Sequence, residues 1–155
     1  MNARVEPGQP APDFDLGTDS GERVSLASLR GKPVVLYFYP KDDTPGCTKQ
    51  ACGIRDSYDR FRERGAVVLG VSPDDEASHA RFRSKYELPF TLLADPGHRV
   101  ADDYGVWVEK QFRGRRYFGN ERSTFVIDSD GKIAAVLRNV DPETHADDVL
   151  AALPS

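Results

Sequence analysis

The run KPVVLYFYP, Lys32 to Pro40, constrains this chain more than any other stretch. It is apolar almost without a break, too short for a helix, and stopped by a proline, the pattern of a strand buried on both faces. Such a strand needs a covering layer above and below it. The period then changes. Cys47, Ala51, Ile54, Tyr58 and Phe61 recur at intervals of four, three, four and three, which marks one face of an amphipathic helix closed by Gly65. A buried strand that feeds into such a helix opens an α/β unit.

The chain then repeats the theme. AVVLGVS is a second buried strand, and residues Asp75 to Tyr86 form a charged helix. LPFTLLAD reads as a short strand and turn, and Arg99 to Tyr104 as a short helix, followed by the segment GVWVEKQFRGRRYFG. RSTFVIDSDGKIAAVL reads as a hairpin turning at Asp130-Gly131. DPETHADDVLAAL is a closing helix with Asp141 as N-cap and Pro142 beside it. The N-terminal GQPAPDFDLGTDSGERVSLASL is an extended arm with a turn at Asp19-Ser20-Gly21. This order predicts the α/β class, with a central mixed sheet flanked by helices, a thioredoxin-like arrangement, and an N-terminal extension. Residues 1–155 are expected to form one domain.

With 39% hydrophobic and 30% charged residues the chain is globular in composition, not disordered. A net charge of −4 and a pI near 5.4 give no reason to expect nucleic acid or an anionic membrane as partner. No apolar run reaches the length of a membrane span, and MNARVEPGQPAPDF lacks the apolar centre of a secretory signal, so the expected location is the cytoplasm. No strongly apolar surface segment forces assembly; a monomer is expected, with a dimer left open.

Cys47 and Cys52 are the only two cysteines. In a reducing cytosol such a pair is more often catalytic, redox-sensing or metal-binding than a structural disulfide. Cys47 follows Pro45-Gly46 in the first turn of the helix, where unpaired N–H groups and the helix dipole favour a thiolate over a thiol. Taken alone it reads equally well as a packing cysteine at the end of an apolar stripe. Cys52 lies roughly 140° round the helix from Cys47. Its angular neighbours are Asp56, Asp59 and Glu63, so it faces the solvated side, where a free thiol has no packing reason to be. On an intact helix the two Cα atoms are roughly 8.7 Å apart, beyond the reach of about 7 Å that a disulfide allows. Either the two never pair, or the first turn unwinds when they do; Gly53 eases unwinding by on the order of 1 kcal/mol.

Two cysteines supply half the ligands of a closed zinc or iron–sulfur site, and no Cys-x-x-Cys motif is present. His79, His98 and His145 are dispersed among charged and turn residues, and are expected to be lone surface histidines. Neither a metal nor another cofactor is expected.

The segment YPKDDTPGCTKQACGIRD resembles the active site of peroxiredoxins of the bacterioferritin comigratory protein (PrxQ) type, in the AhpC/TSA superfamily. The similarity extends through YELPFTLLADP, YGVWVEK, RSTFVID and the N-terminal APDFDL, in order. The Pro-x-x-x-Thr-x-x-Cys pattern of peroxiredoxins is met by Pro40, Thr44 and Cys47. The resemblance implies a thioredoxin-like fold and a thiol peroxidase that reduces hydrogen peroxide and organic hydroperoxides. It implies that Cys47 is the peroxidatic nucleophile and Cys52 the resolving thiol of an intramolecular disulfide, with electrons from thioredoxin or another dithiol. Arg122 matches the arginine held against the thiolate, Thr44 a hydroxyl that meets the peroxide, and Pro40 a shield over the pocket. Thr44, Cys47 and Arg122 would bind the substrate. One departure is Gln50, where the family often has Glu: the hydrogen-bonding shape stays and the charge goes. A thiol–disulfide oxidoreductase, or a redox-sensing protein without catalysis, would be the alternatives on the same fold.

Overall fold

The computed structural model describes residues 5–153; the ends of the expected domain, residues 1–4 and 154–155, lie outside them. The arm forms a hairpin of β1 (Asp15–Thr18) and β2 (Arg23–Ser25), with Gly21 in the left-handed region its turn needs. A short 3₁₀ turn, Leu26–Leu29, leads to β3 (Val34–Phe38). There follow α1 (Pro45–Asp56), α2 (Tyr58–Glu63), β4 (Val67–Ser72), α3 (Glu76–Tyr86), β5 (Thr91–Ala94) and α4 (Arg99–Asp103). The chain closes with β6 (Trp107–Phe112), β7 (Arg115–Asn120), β8 (Ser123–Ile127), β9 (Ile133–Leu137) and α5 (His145–Ala152).

Seven strands pair in the order β2-β1-β5-β4-β3-β8-β9. β3, β4 and β5 run parallel, and the outer pairings are antiparallel, so the sheet is mixed as expected. β3 sits near the centre with all five residues buried. Its alternation divides the core. Val35, Tyr37 and Tyr39 meet Cys47, Ala51, Ile54 and Phe61 of α1 and α2, with Phe82 and Val149, on one face. Val34, Leu36 and Phe38 meet Phe14, Leu26, Val100 and Tyr104 on the other. Tyr37 lies over Gly70 so closely that a Cβ there would come within 2.8 Å of its ring, so β4 needs glycine at that point.

Three expectations change, and one segment left unassigned takes a definite form. The helix expected from Cys47 to Gly65 breaks at Ser57, whose N–H is shared between the Gly53 and Ile54 carbonyls. One such bond resets the helix while leaving the buried stripe on the same side. Asp141 does not cap α5: its carboxylate accepts the N–H of Glu143 inside a turn, and the helix starts later, with Thr144 at the cap. GVWVEKQFRGRRYFG is a separate two-stranded hairpin, β6–β7, turned by Arg113-Gly114 with both residues at positive φ. His79 and His145 are fully buried, and only His98 is near the surface, stacked on Trp107 at 4.1 Å. Both buried histidines lie on the apolar stripes of their helices, where every ring nitrogen has a partner.

Among the described residues, no helix is long and apolar enough to cross a membrane.

Candidate active site

β3 ends at the surface of the sheet and the loop of residues 39–44 carries the chain across to α1. Two aspartates pin that loop to α3. Asp42 accepts from the hydroxyls of Tyr39 and Ser78, lies 2.7 Å from Nδ1 of His79, and has its own N–H bonded to Asp74. Nε2 of His79 donates to the Leu93 carbonyl at 2.9 Å. Asp43, at positive φ, accepts from Lys85 and from the Tyr86 hydroxyl, both at 2.7 Å, and these donors hold its carboxyl below the usual range. The start of α1 is thus fixed from behind.

Pro45 opens α1 at a position where its missing N–H costs nothing. Cys47 follows in the first turn, 1% exposed, beneath Tyr37 and Tyr39. Arg122, immediately before β8, reaches over it and donates from Nη1 to the Cys47 sulfur at 3.4 Å and to Oε1 of Gln50 at 2.6 Å. Gly46 makes room for this, because a Cβ there would stand 3.1 Å from the guanidinium. The sulfur therefore sits between a helix N-terminus and a permanent cation.

Behind Arg122 runs a chain of neutral groups. Gln50 Nε2 lies 3.3 Å from Nδ1 of His145, and Nε2 of His145 lies 2.6 Å from the Thr124 hydroxyl. Burial, and then the Arg122 charge, push the His145 pKa down to about 4, so the imidazole is neutral at pH 7. A neutral ring with Nε2–H donating to Thr124 leaves Nδ1 to accept from the Gln50 amide; that amide must then turn its oxygen to Arg122. Gln50 orients the guanidinium without neutralising it.

Of the expected site residues, Cys47 and Arg122 meet directly. Pro40 and Arg122 line a cleft of about 370 Å³ together with Val108, Lys110, Glu121, Asn139 and Val140. Thr44 sits at the helix N-cap, where its hydroxyl donates to the Lys41 carbonyl at 2.9 Å instead of capping the helix. Cys52 is half-buried and both thiols are free. On α1 the neighbour of Cys52 on its solvated side, Asp56, is exposed; Asp59 and Glu63 are exposed too, but on α2. Among the described residues, no cluster of three or more His, Cys, Asp or Glu side chains could hold a metal ion.

Residues 7–136 match the AhpC/TSA family. A Bcp-type protein of Coxiella burnetii is 52% identical over 149 residues, covering 96% of this chain and 99% of its own. Peroxiredoxin Bcp of Bacillus subtilis is 48% identical over 149 residues, covering 96% and 95%. The chain belongs to the AhpC/TSA family as a peroxiredoxin of the Bcp/PrxQ type. The solved structure of Xanthomonas campestris bacterioferritin comigratory protein, described for its alkyl peroxide reduction activity, superposes with a TM-score of 0.88 at 34% identity, over 95% of this chain and 96% of that one.

In this peroxiredoxin, sequence reasoning found the sulfur and its arginine but not His145, Thr124, Asp42 or His79. A signal existed for both histidines. His79, Phe82 and Tyr86 are spaced three and four apart, as are His145 and Val149 at four, so each histidine continues an apolar stripe.

Proposed function

We propose that this thiol peroxidase reduces hydrogen peroxide and organic hydroperoxides at Cys47, resolves the product with Cys52, and is recycled in the cytoplasm by thioredoxin or a similar dithiol. The observation that carries this reading is the 3.4 Å contact from Arg122 to a buried sulfur at the start of a helix that also bears Cys52. The Cys47 thiolate attacks one peroxide oxygen, the O–O bond breaks, and the sulfur becomes a sulfenic acid. Arg122 stabilises charge as it moves from sulfur to oxygen. Pro40 walls the cleft, and Thr44 meets the peroxide once its hydroxyl leaves Lys41.

The Cys52 thiol then displaces water from the sulfenic acid. With α1 continuous from Pro45 to Asp56, that step needs the first turns to unwind. The loop before them is clamped by Asp42 and Asp43, which supports unwinding confined to the residues after Thr44. An external dithiol restores both thiols by exchange.

The test is peroxide consumption with a thioredoxin system. Cys47→Ser is expected to lose turnover entirely, and Cys52→Ser to consume about one equivalent and then stall. Normal turnover by Cys47→Ser would refute the reading.

A further inference from the structure

Expelling an alkoxide or hydroxide from a peroxide is costly unless a proton arrives with it, because the conjugate acids are about as weak as water. Arg122 cannot release a proton near neutral pH. His145 is neutral, buried behind Gln50, and its remaining hydrogen is committed to Thr124. Tyr37 is buried in the same core cluster as the sulfur, with burial and the neighbouring Cys47 charge pushing its hydroxyl well above the usual phenol range. The cleft in front of Arg122 holds one more titratable cation, Lys110.

Lys110 lies on β6 on the same face as Val108, and both line the cleft with Arg122 and Pro40. Its strand partner is Tyr117, and its stem and the Tyr117 ring both lie over Gly119. A Cβ at Gly119 would touch Lys110 Cδ at 3.8 Å and Cε at 3.9 Å, so the missing side chain leaves a track along which the lysine lies toward the base of the hairpin. Arg122 stands at that base, two residues beyond β7. Lys110 is half-buried. Burial, and then the Arg122 charge, hold its ammonium below the ordinary lysine range, while Cys47 and Glu121 act in the opposite direction. The other charged group nearby, Arg138 just after β9, is tied to Glu121 at 3.3 Å.

We propose that Lys110 is the general acid of the peroxidase step, giving its ammonium proton to the leaving oxygen of a hydroperoxide bound in the cleft. The proposal rests on Cys47 being the nucleophile. Sγ bonds to the distal peroxide oxygen, which keeps its hydrogen, and the O–O bond breaks. The electron pair goes to the proximal oxygen, which takes the Lys110 proton and departs as alcohol or water. Sulfur is oxidised by two electrons and the peroxide bond is reduced by the same two; neutral Nζ regains a proton from solvent through the open cleft.

The experiment compares single-turnover oxidation of Cys47 by tert-butyl hydroperoxide, a poor leaving group, and by peracetic acid, whose acetate needs no proton. Lys110→Met is expected to slow the first on the order of 10²-fold and the second by less than about threefold. Lys110→Arg keeps the charge but has no proton to give, so it should match Lys110→Met with tert-butyl hydroperoxide. Both should lose the fall in rate at alkaline pH that deprotonation of Lys110 produces in the parent chain. Equal slowing with both oxidants, or full activity in Lys110→Arg, would overturn the assignment and leave Lys110 an electrostatic role or none. A variant that fails to fold would slow both oxidants equally, so circular dichroism accompanies each, and Lys110→Gln stands in for either that is unfolded. Should Cys47→Ser keep turnover, the nucleophile reading fails instead, whatever Lys110 does.

Discussion

Two histidines, both fully buried and both hydrogen-bonded at each ring nitrogen, flank the reactive helix and do different work. His79 faces a carboxylate. Its contact with Asp42 joins two hydroxyls and a backbone carbonyl in one network that fastens the loop ahead of α1. His145 hydrogen-bonds only neutral groups, Gln50 and Thr124, and stands behind the arginine that touches the sulfur. A carboxylate on the second side would compete with Cys47 for the Arg122 charge; a neutral amide positions the same guanidinium and leaves its charge to the sulfur. The first histidine serves a clamp and the second an aim.

The comparison breaks first at Asp42. Asp42→Ala strips His79, Tyr39 and Ser78 of a shared acceptor, and denaturant unfolding is expected to show a loss of about 4 kcal/mol. A loss under about 1 kcal/mol would mean that the clamp is ornamental. Next, Arg122→Met should lower the rate of Cys47 oxidation on the order of 10²-fold while costing less stability than Asp42→Ala. The reverse ranking would exchange the roles assigned to the two sides.

The smallest effect sharpens the contrast by pH. His145 in the folded chain stays neutral down to about pH 4, whereas its ordinary pKa is 6.5. The unfolded state therefore takes up its proton first on acidification, and the stability tied to the neutral ring is complete above pH 6.5 and is lost as pH falls toward 4. Between pH 7 and 5 this amounts to about 2 kcal/mol. Gln50→Glu puts a carboxylate beside the ring, and the same two unfolding curves should then draw closer together. An unchanged gap would show that His145 does not sense position 50.

Much of this is legible in the residue order alone. β3 and the α1 stripe declare themselves because burial on two faces, or on one helical face, writes a period into the residue types. Arg122 meets Cys47, and Pro40 shares a cleft with Arg122. The break at Ser57 was not legible, since it turns on one shared N–H and leaves the period intact. Nor was the capping of α5, where Asp141 and Thr144 are both acceptable cap residues and the Asp141 carboxylate turns to the N–H of Glu143 instead. The charged sequence neighbours of His79 and His145 point to the surface but lie on other faces of the same helices; their partners Asp42 and Thr124 are 37 and 21 residues distant and carry no local signal.

The proposed cycle turns on a bond between two thiols that an intact helix holds apart. Intact mass and peptide mapping after one equivalent of hydrogen peroxide, with no reductant present, test it most directly. The expected product is two hydrogens lighter than the starting chain, with Cys47 and Cys52 joined in a single peptide and less helix by circular dichroism. A chain carrying one added oxygen while Cys52 still takes up an alkylating reagent, or a disulfide joining two chains, would contradict it.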